Sequence, residues 1–176
     1  MSAWRSLWLV VLLAAAGCAS TAGLDVGYPE AGVNRSLLAS APARRVAIGP
    51  VTDRRTEARI GVELESKKDV VTRRPVTEIV REALALELGK NGHVVTSGAT
   101  DAVLSADVEE FRLDAVSGYS NVHYVGIKRR LADPDAEGVA REVMDAALAR
   151  AMHDVATDAE LVRALTRLST ALLPRP

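Results

Sequence analysis

The chain has one cysteine in 176 residues, and that cysteine is Cys18. A single thiol excludes an intramolecular disulfide, so any folded region must be held by its core alone. Aromatic residues make up only 3% of the chain. Both tryptophans, Trp4 and Trp8, stand at the extreme amino end, and the remaining aromatics are Tyr28, Phe111, Tyr119 and Tyr124. So few rings argue against a groove that recognises bases or sugars by stacking. The core must come from Val, Leu, Ile and Ala. Charge of one sign is lacking too. The formal net charge is −1, which gives no reason to expect nucleic acid or an anionic surface as partner. No G-x-S-x-G, P-loop or G-x-G-x-x-G is present, so the common short signatures of nucleophilic and nucleotide chemistry are missing. There is no internal repeat.

What is there begins at the amino end. Arg5 and the terminal amine form a short positive region, followed by an unbroken apolar run from Leu7 to Ala16. Ten residues are about half of the roughly 20 needed to cross a bilayer, so the run reads as a signal-peptide core and not as a permanent span. It ends Leu13-Ala14-Ala15-Ala16-Gly17-Cys18. This resembles the lipobox of bacterial lipoproteins, with a small residue (Gly17) before the cleavage point and a cysteine (Cys18) that takes diacylglycerol. Ala15 stands where the usual pattern has Leu. The competing reading is an ordinary secreted protein cut at an Ala-x-Ala site, with Cys18 an incidental thiol. The resemblance implies a membrane partner reached through two or three acyl chains. Each buried methylene contributes about 0.8 kcal/mol, and more than one chain is needed for stable attachment. Ala19 follows the cysteine where Asp would resemble an inner-membrane retention signal. The expected location is therefore the cell envelope, on the periplasmic face of the outer membrane.

Removing residues 1–17 from 176 leaves 159, enough for one ordinary domain. Residues 18–44 read as lipid anchor and flexible tether. Gly, Pro, Ser and Asn are scattered through them without a period, and as a coil the 26 residues after Cys18 would span roughly 25–30 Å. Leu37-Leu38-Ala39 is apolar enough to pack on a neighbouring domain. Residues 45–176 read as that domain.

Val46 to Val51 predicts a first strand, with Pro50 marking an edge or bulge. Ile60 to Val71 predicts a short exposed hairpin. Pro75 to Lys90 predicts a helix with Val76, Ile79, Val80, Ala83 and Leu84 on one face, stopped at Asn91-Gly92. Val94 to Thr96 predicts a strand beside the first. Ala102 to Ala115 predicts a long strand whose alternation changes phase at Glu109-Glu110, implying a β-bulge there. Tyr119 to Leu131 predicts its partner. A helix predicted from about Glu137 to His153 carries Ala140, Val143, Met144, Ala147, Ala151 and Met152. Thr157-Asp158-Ala159-Glu160 is a capping-box pattern opening a last helix with Leu161, Leu165, Leu168 and Leu172. The expected fold class is α/β, an α+β two-layer sandwich with a mostly antiparallel sheet of four or five strands and helices on one face.

The domain is similar to the YajG family of bacterial lipoproteins. The likeness is carried by a strand ending Val51-Thr52-Asp53-Arg54-Arg55, by Ile60-Gly61, and by a helix with Leu84 and Leu88 closing in Asn91-Gly92-His93-Val94. That family has an apolar or aromatic residue where His93 stands. The resemblance implies a lipid-anchored α/β domain and no transferable activity or cofactor.

Individual residues give few chemical leads. Asp53 and Arg55, where a strand meets a loop, read either as a partner-binding point or as an ion pair that shapes the loop. Glu87 falls in the middle of an apolar helix face, where it must reach water or meet an Arg, or act as a tuned acid. His93, His123 and His153 are too scattered for metal-ligand spacing. Glu109 and Glu110 point to opposite faces of a strand. Lys128-Arg129-Arg130 reads as an edge strand defended by charge. No metal or cofactor is expected. The leading expectation is a non-catalytic envelope module that binds another protein. An auxiliary subunit for lipid or glycolipid transport would need a large apolar pocket. A hydrolase would need a nucleophile, a base and an orienting group in one cleft.

Overall fold

The computed structural model describes residues 21–28, 36–62, 67–113, 116–118, 121–124, 127–130 and 136–171. The signal run, Gly17 and Cys18 lie outside the described residues. Among the described residues the fold is α+β, with three α-helices and three-stranded sheets.

The helix read from Pro75 onward is α1, Val76–Lys90. Pro75 stands just before it, and Asn91 and Gly92 end it. Gly92 takes φ +89°, a conformation that costs glycine nothing. The helix buries Val76, Ile79, Val80, Ala83, Leu84 and Leu88.

The sheet on which α1 lies corrects the expected antiparallel architecture. It consists of β2 (Arg45–Asp53), β5 (Val94–Val95) and β6 (Ala102–Val108), in the order β5-β2-β6, and all three strands are parallel. The cause is connectivity. A strand followed by a helix packed on it returns the chain to the strand's starting end, so the next strand must run parallel. The loop after β5 then crosses the start of β2, where Arg45 N and Arg45 Nη2 donate to the Asp101 carboxylate at 2.8 and 3.0 Å. The β2–β6 register slips between Ile48 and Val51. Pro50 falls in that interval and has no N–H for the ladder, so the irregularity is where Pro50 marked it.

The long strand read from Ala102 to Ala115 is also corrected. β6 ends at Val108, and residues 109–113 leave the sheet. The apparent phase change at Glu109-Glu110 is the end of a strand and not a bulge within it. Leu113 N donates to Ile60 O instead. The proposed partner, Tyr119 to Leu131, does not pair with β6. Its described parts are β8 (Asn121–Tyr124) and β9 (Ile127–Arg130), which form an antiparallel sheet with β7 (Val116–Gly118) in the order β7-β8-β9.

The largest correction concerns the tether. Residues 21–28 and 36–44 belong to the folded body. Ala22–Leu24 forms β1, which pairs in parallel with β4 (Asp69–Thr72), and β4 pairs with β3 (Gly61–Val62) as the expected hairpin. Ala22, Val70 and Gly61 thus form one row across this mixed sheet. From there the segment follows α1. Arg74 Nη2 donates to Val26 O, Tyr28 meets Glu87, Ser36 meets Asn91, and Leu38 lies under the end of the helix. Leu24, Val26 and Leu38 are among the most buried side chains of the protein. Leu37–Ser40 is a turn of 3₁₀ helix capped by Ser36.

α2, Ala136–Thr157, packs on α1 with Val143, Met144, Leu148, Met152 and Ala156 buried, whereas Ala151 is exposed. α3, Ala159–Ala171, buries Leu165 against Leu38, Val46 and Leu88. Its N-cap is Asp158 and not Thr157. Asp158 Oδ1 accepts from the backbone N–H groups of Glu160 and Leu161 at 2.7 and 2.8 Å, while Thr157 Oγ1 donates back to His153 O.

Candidate functional site

Two polar constellations stand out. The first is a cleft of about 630 Å³ between the loop after β2, the β3 hairpin strand and residues 109–113. Arg55 lines it and is held by Asp53, which lies outside the lining. Arg55 Nε and Nη2 donate to the two Asp53 oxygens at 2.9 and 2.7 Å, and Arg55 N donates to Asp53 Oδ1 at 3.1 Å. The guanidinium beside Asp53 holds its carboxyl below the usual carboxylate range. Arg55 Nη1 also lies within 3.5 Å of Ala58 O and Phe111 O, so this side chain, almost covered, ties the loop to the opposite wall. Arg59 bridges Glu57 and Asp69 at 2.5 and 3.3 Å.

Backbone packing closes the floor. A Cβ on Gly61 would meet Leu113 O at 2.8 Å, so glycine is required for this approach. Ile60, Phe111 and Leu113 are buried beneath. Glu109 and Glu110 are exposed in the wall. Arg112 stands in the same wall, so the lining carries three arginines and three glutamates. Among the described residues the lining carries one hydroxyl, Thr56, and no Ser, Cys or His.

The second constellation is buried at the carboxyl end of α1. Glu87 is only 4% exposed. In place of the Arg or water anticipated for it, Glu87 accepts from the Tyr28 hydroxyl, from Asn91 Nδ2 at 2.9 Å and from Lys90 Nζ at 3.4 Å. Lys90 Nζ also reaches the Tyr28 oxygen at 2.9 Å. Asn91 Oδ1 in turn accepts from Ser36 N at 2.9 Å. A carboxylate buried with this many donors is tolerable where an isolated one is not. Burial first, and then the hydrogen bond to Glu87, push the Tyr28 hydroxyl pKa up. Sequence reading missed Tyr28 and Ser36 because both were assigned to the tether. The sign that could have found them is the alternation Leu24, Val26, Tyr28, which has the period of a half-buried strand.

Among the described residues the histidines join no metal-ligand group. His93 is buried with Nε2 3.4 Å from Leu38 O, and its Nδ1 has no hydrogen-bond partner. His153 is exposed on α2. The side chain of His123 lies outside the described residues. Among the described residues no group of His, Cys, Asp and Glu could hold a metal ion.

Burial holds the His93 pKa below its ordinary value. The unfolded chain therefore takes up a proton from about pH 6.5 downward while the native imidazole stays neutral. Stability contributed by neutral His93 is fully present above that pH and is lost as pH falls toward the lower native value. Thermal melts between about pH 7 and pH 5 should show the wild type losing stability while His93→Phe loses less. Asp53 and Asp101, held low by their arginines, lose their contribution only below about pH 4. Identical pH profiles for the two proteins would contradict this account.

No protein-family model matches the chain, and no curated protein or solved structure matches it. Among the described residues no helix is long and apolar enough to cross a membrane.

Proposed function

We propose that this chain is a lipid-anchored lipoprotein of the bacterial cell envelope, held through Cys18 at the periplasmic face of the outer membrane. Its folded part is a non-catalytic module that binds another envelope protein. The lipobox-like ending at Gly17-Cys18 supports the anchor, and the YajG-like residues between Val46 and Gly92 support the same class. The observation that carries the binding role is the charged cleft. It encloses about 630 Å³, is stiffened by Asp53–Arg55, and is faced with Glu109, Glu110 and Arg112. A partner presenting charges of both signs suits it.

A lipid carrier draws less support. The space between α1, α2 and the sheets is filled by Leu24, Val26, Ile60, Ile79, Ala83, Val143 and Met144 among others. A hydrolase would have to draw its nucleophile from a cleft whose one hydroxyl is Thr56.

The test is photo-crosslinking in intact cells from position 112, in the cleft wall. A discrete protein adduct is expected. The double substitution Glu109→Lys, Glu110→Lys should lower its yield roughly tenfold, the effect of about 1.4 kcal/mol in binding. An adduct indifferent to both reversals, or no reproducible adduct, refutes the binding role of the cleft.

A further inference from the structure

His93 is a buried titratable group outside the charged cleft. It follows the Gly92 terminator of α1, and 4% of its surface is exposed. Its ring links two elements. Nε2 lies 3.4 Å from Leu38 O on the 3₁₀ turn Leu37–Ser40, so the neutral ring offers that carbonyl its Nε2–H. Nδ1 is then a bare acceptor without a partner. A second proton has to go to Nδ1, where no acceptor receives it, and it puts a charge where water does not reach.

Among the described residues no carboxylate is placed to neutralise that charge. The charge that bears on the ring is Arg44, just before β2, and it has the same sign. On α1, Glu87 and Lys90 are committed to each other, to Tyr28 and to Asn91. On α2, His153 and Asp154 are exposed, and on α3 Glu160 and Arg163 pair with each other at the surface. The protonated ring is relieved by movement of what covers it. The turn is the piece that moves at least cost. Residues 36–41 join no sheet. Ser36 N donates to Asn91 Oδ1 at 2.9 Å, the Ser36 hydroxyl lies 3.0 Å from Ala156 O, and Leu38 and Ala41 rest in the smaller core cluster. Lifting this turn breaks those few contacts, whereas lifting α1 or β2 dismantles the larger core.

We propose that His93 is an acid-sensitive latch: protonation of its ring releases the Leu37–Ser40 turn from the end of α1 and uncovers the apolar surface beneath Leu38, while the rest of the fold stays closed. The surface uncovered is that of Val46, Leu88, Ala156 and Leu165. In the docked state burial holds the imidazole below its ordinary pKa, and in the released state the ring meets water and regains it. Release therefore takes up one proton. The released fraction is constant above about pH 6.5 and rises below it, by at most about tenfold per pH unit.

The experiment is amide hydrogen exchange, followed residue by residue on the full chain carrying Cys18→Ala, at about pH 7.5 and about pH 5, with rates corrected for the intrinsic pH dependence of exchange. The reporters are the amides of Leu38, Ala39 and Ala41, which donate within the turn to Ser36 Oγ, Ser36 O and Leu38 O. The amides of Ala83 and Leu84 in α1 report on the core. Protection of the turn should fall roughly tenfold at the lower pH, within the limit of about thirtyfold that one proton allows over this range, while α1 keeps its protection. His93→Phe keeps a ring but has no proton to take up. His93→Gln still donates to Leu38 O and does not titrate. Either substitution should remove the pH difference in the turn, and the second serves if the first packs badly. Turn protection that is equal at both pH values in the wild type overturns the proposal, as does the same fall in both variants. Loss of protection in α1 in step with the turn also overturns it, because acid is then unfolding the whole domain.

Discussion

Leu24→Ala and Leu38→Ala should each lower the unfolding free energy by about 2–5 kcal/mol. For a domain of this size that is a fall in melting temperature on the order of 10 °C. Both residues lie in the stretch that reads in sequence as a tether, and a tether would show no effect. The structure gives them core positions. Leu38 is 1% exposed, whereas its neighbour Leu37 is 47% exposed. Leu38 touches the cluster of Val46, Leu88, Ala156 and Leu165, so truncation leaves a cavity bounded by β2, α1, α2 and α3. Leu24 sits in the larger cluster with Ile60, Ile79 and Val143. Leu37→Ala is the internal control and should fall within about 0.5 kcal/mol of wild type. The comparison is made by denaturant unfolding of residues 18–176 in a Cys18→Ala background. If Leu38→Ala and Leu37→Ala behaved alike, the segment would not be part of the fold.

Cys18→Ala should move the protein from the membrane fraction to the soluble fraction, nearly completely. Two or three acyl chains hold a protein stably, whereas one chain is marginal and none leaves only protein contacts. The sole thiol is also the sole site for thioether lipid, so nothing else in the chain can replace it. Because Cys18 precedes β1, the substitution should leave the melting temperature unchanged, which separates release from unfolding. Fractionation and intact-mass measurement together read the result. A variant that still sediments with membranes would mean that a protein contact, and not lipid, carries attachment.

The helices were the legible part of this sequence because their signals are local. Pro75 before α1, the apolar face from Val76 to Leu84 and the stop at Asn91-Gly92 each act within a few residues of their effect. Strand direction was not local. Nothing in Val94-Val95 says parallel or antiparallel; the answer depends on α1 packing back along β2. The strand ending at Val108 was hidden for a related reason, since Phe111 and Leu113 keep alternating after they have left β6 to cover Ile60. Of the candidate residues, Asp53 and Arg55 were visible from their place at the end of a strand. Glu87 was visible as an anomaly on an apolar face. Its partners Tyr28 and Ser36 were not, because a three-residue strand followed by irregular chain leaves little periodic trace.

The docking of β1 (Ala22–Leu24) also bears on the making of this protein. If the chain is cut before Cys18, the scissile bond lies only a few residues from a strand that the finished core cannot do without. A leader peptidase needs extended, accessible backbone at that bond, and a completed β1 would pull the bond against the domain. On that same reading, the clusters around Leu24 and Leu38 would close after the leader has left the export channel. Maturation and folding would then be sequential: the chain would be processed while loose, and its last core pieces would dock once it is released.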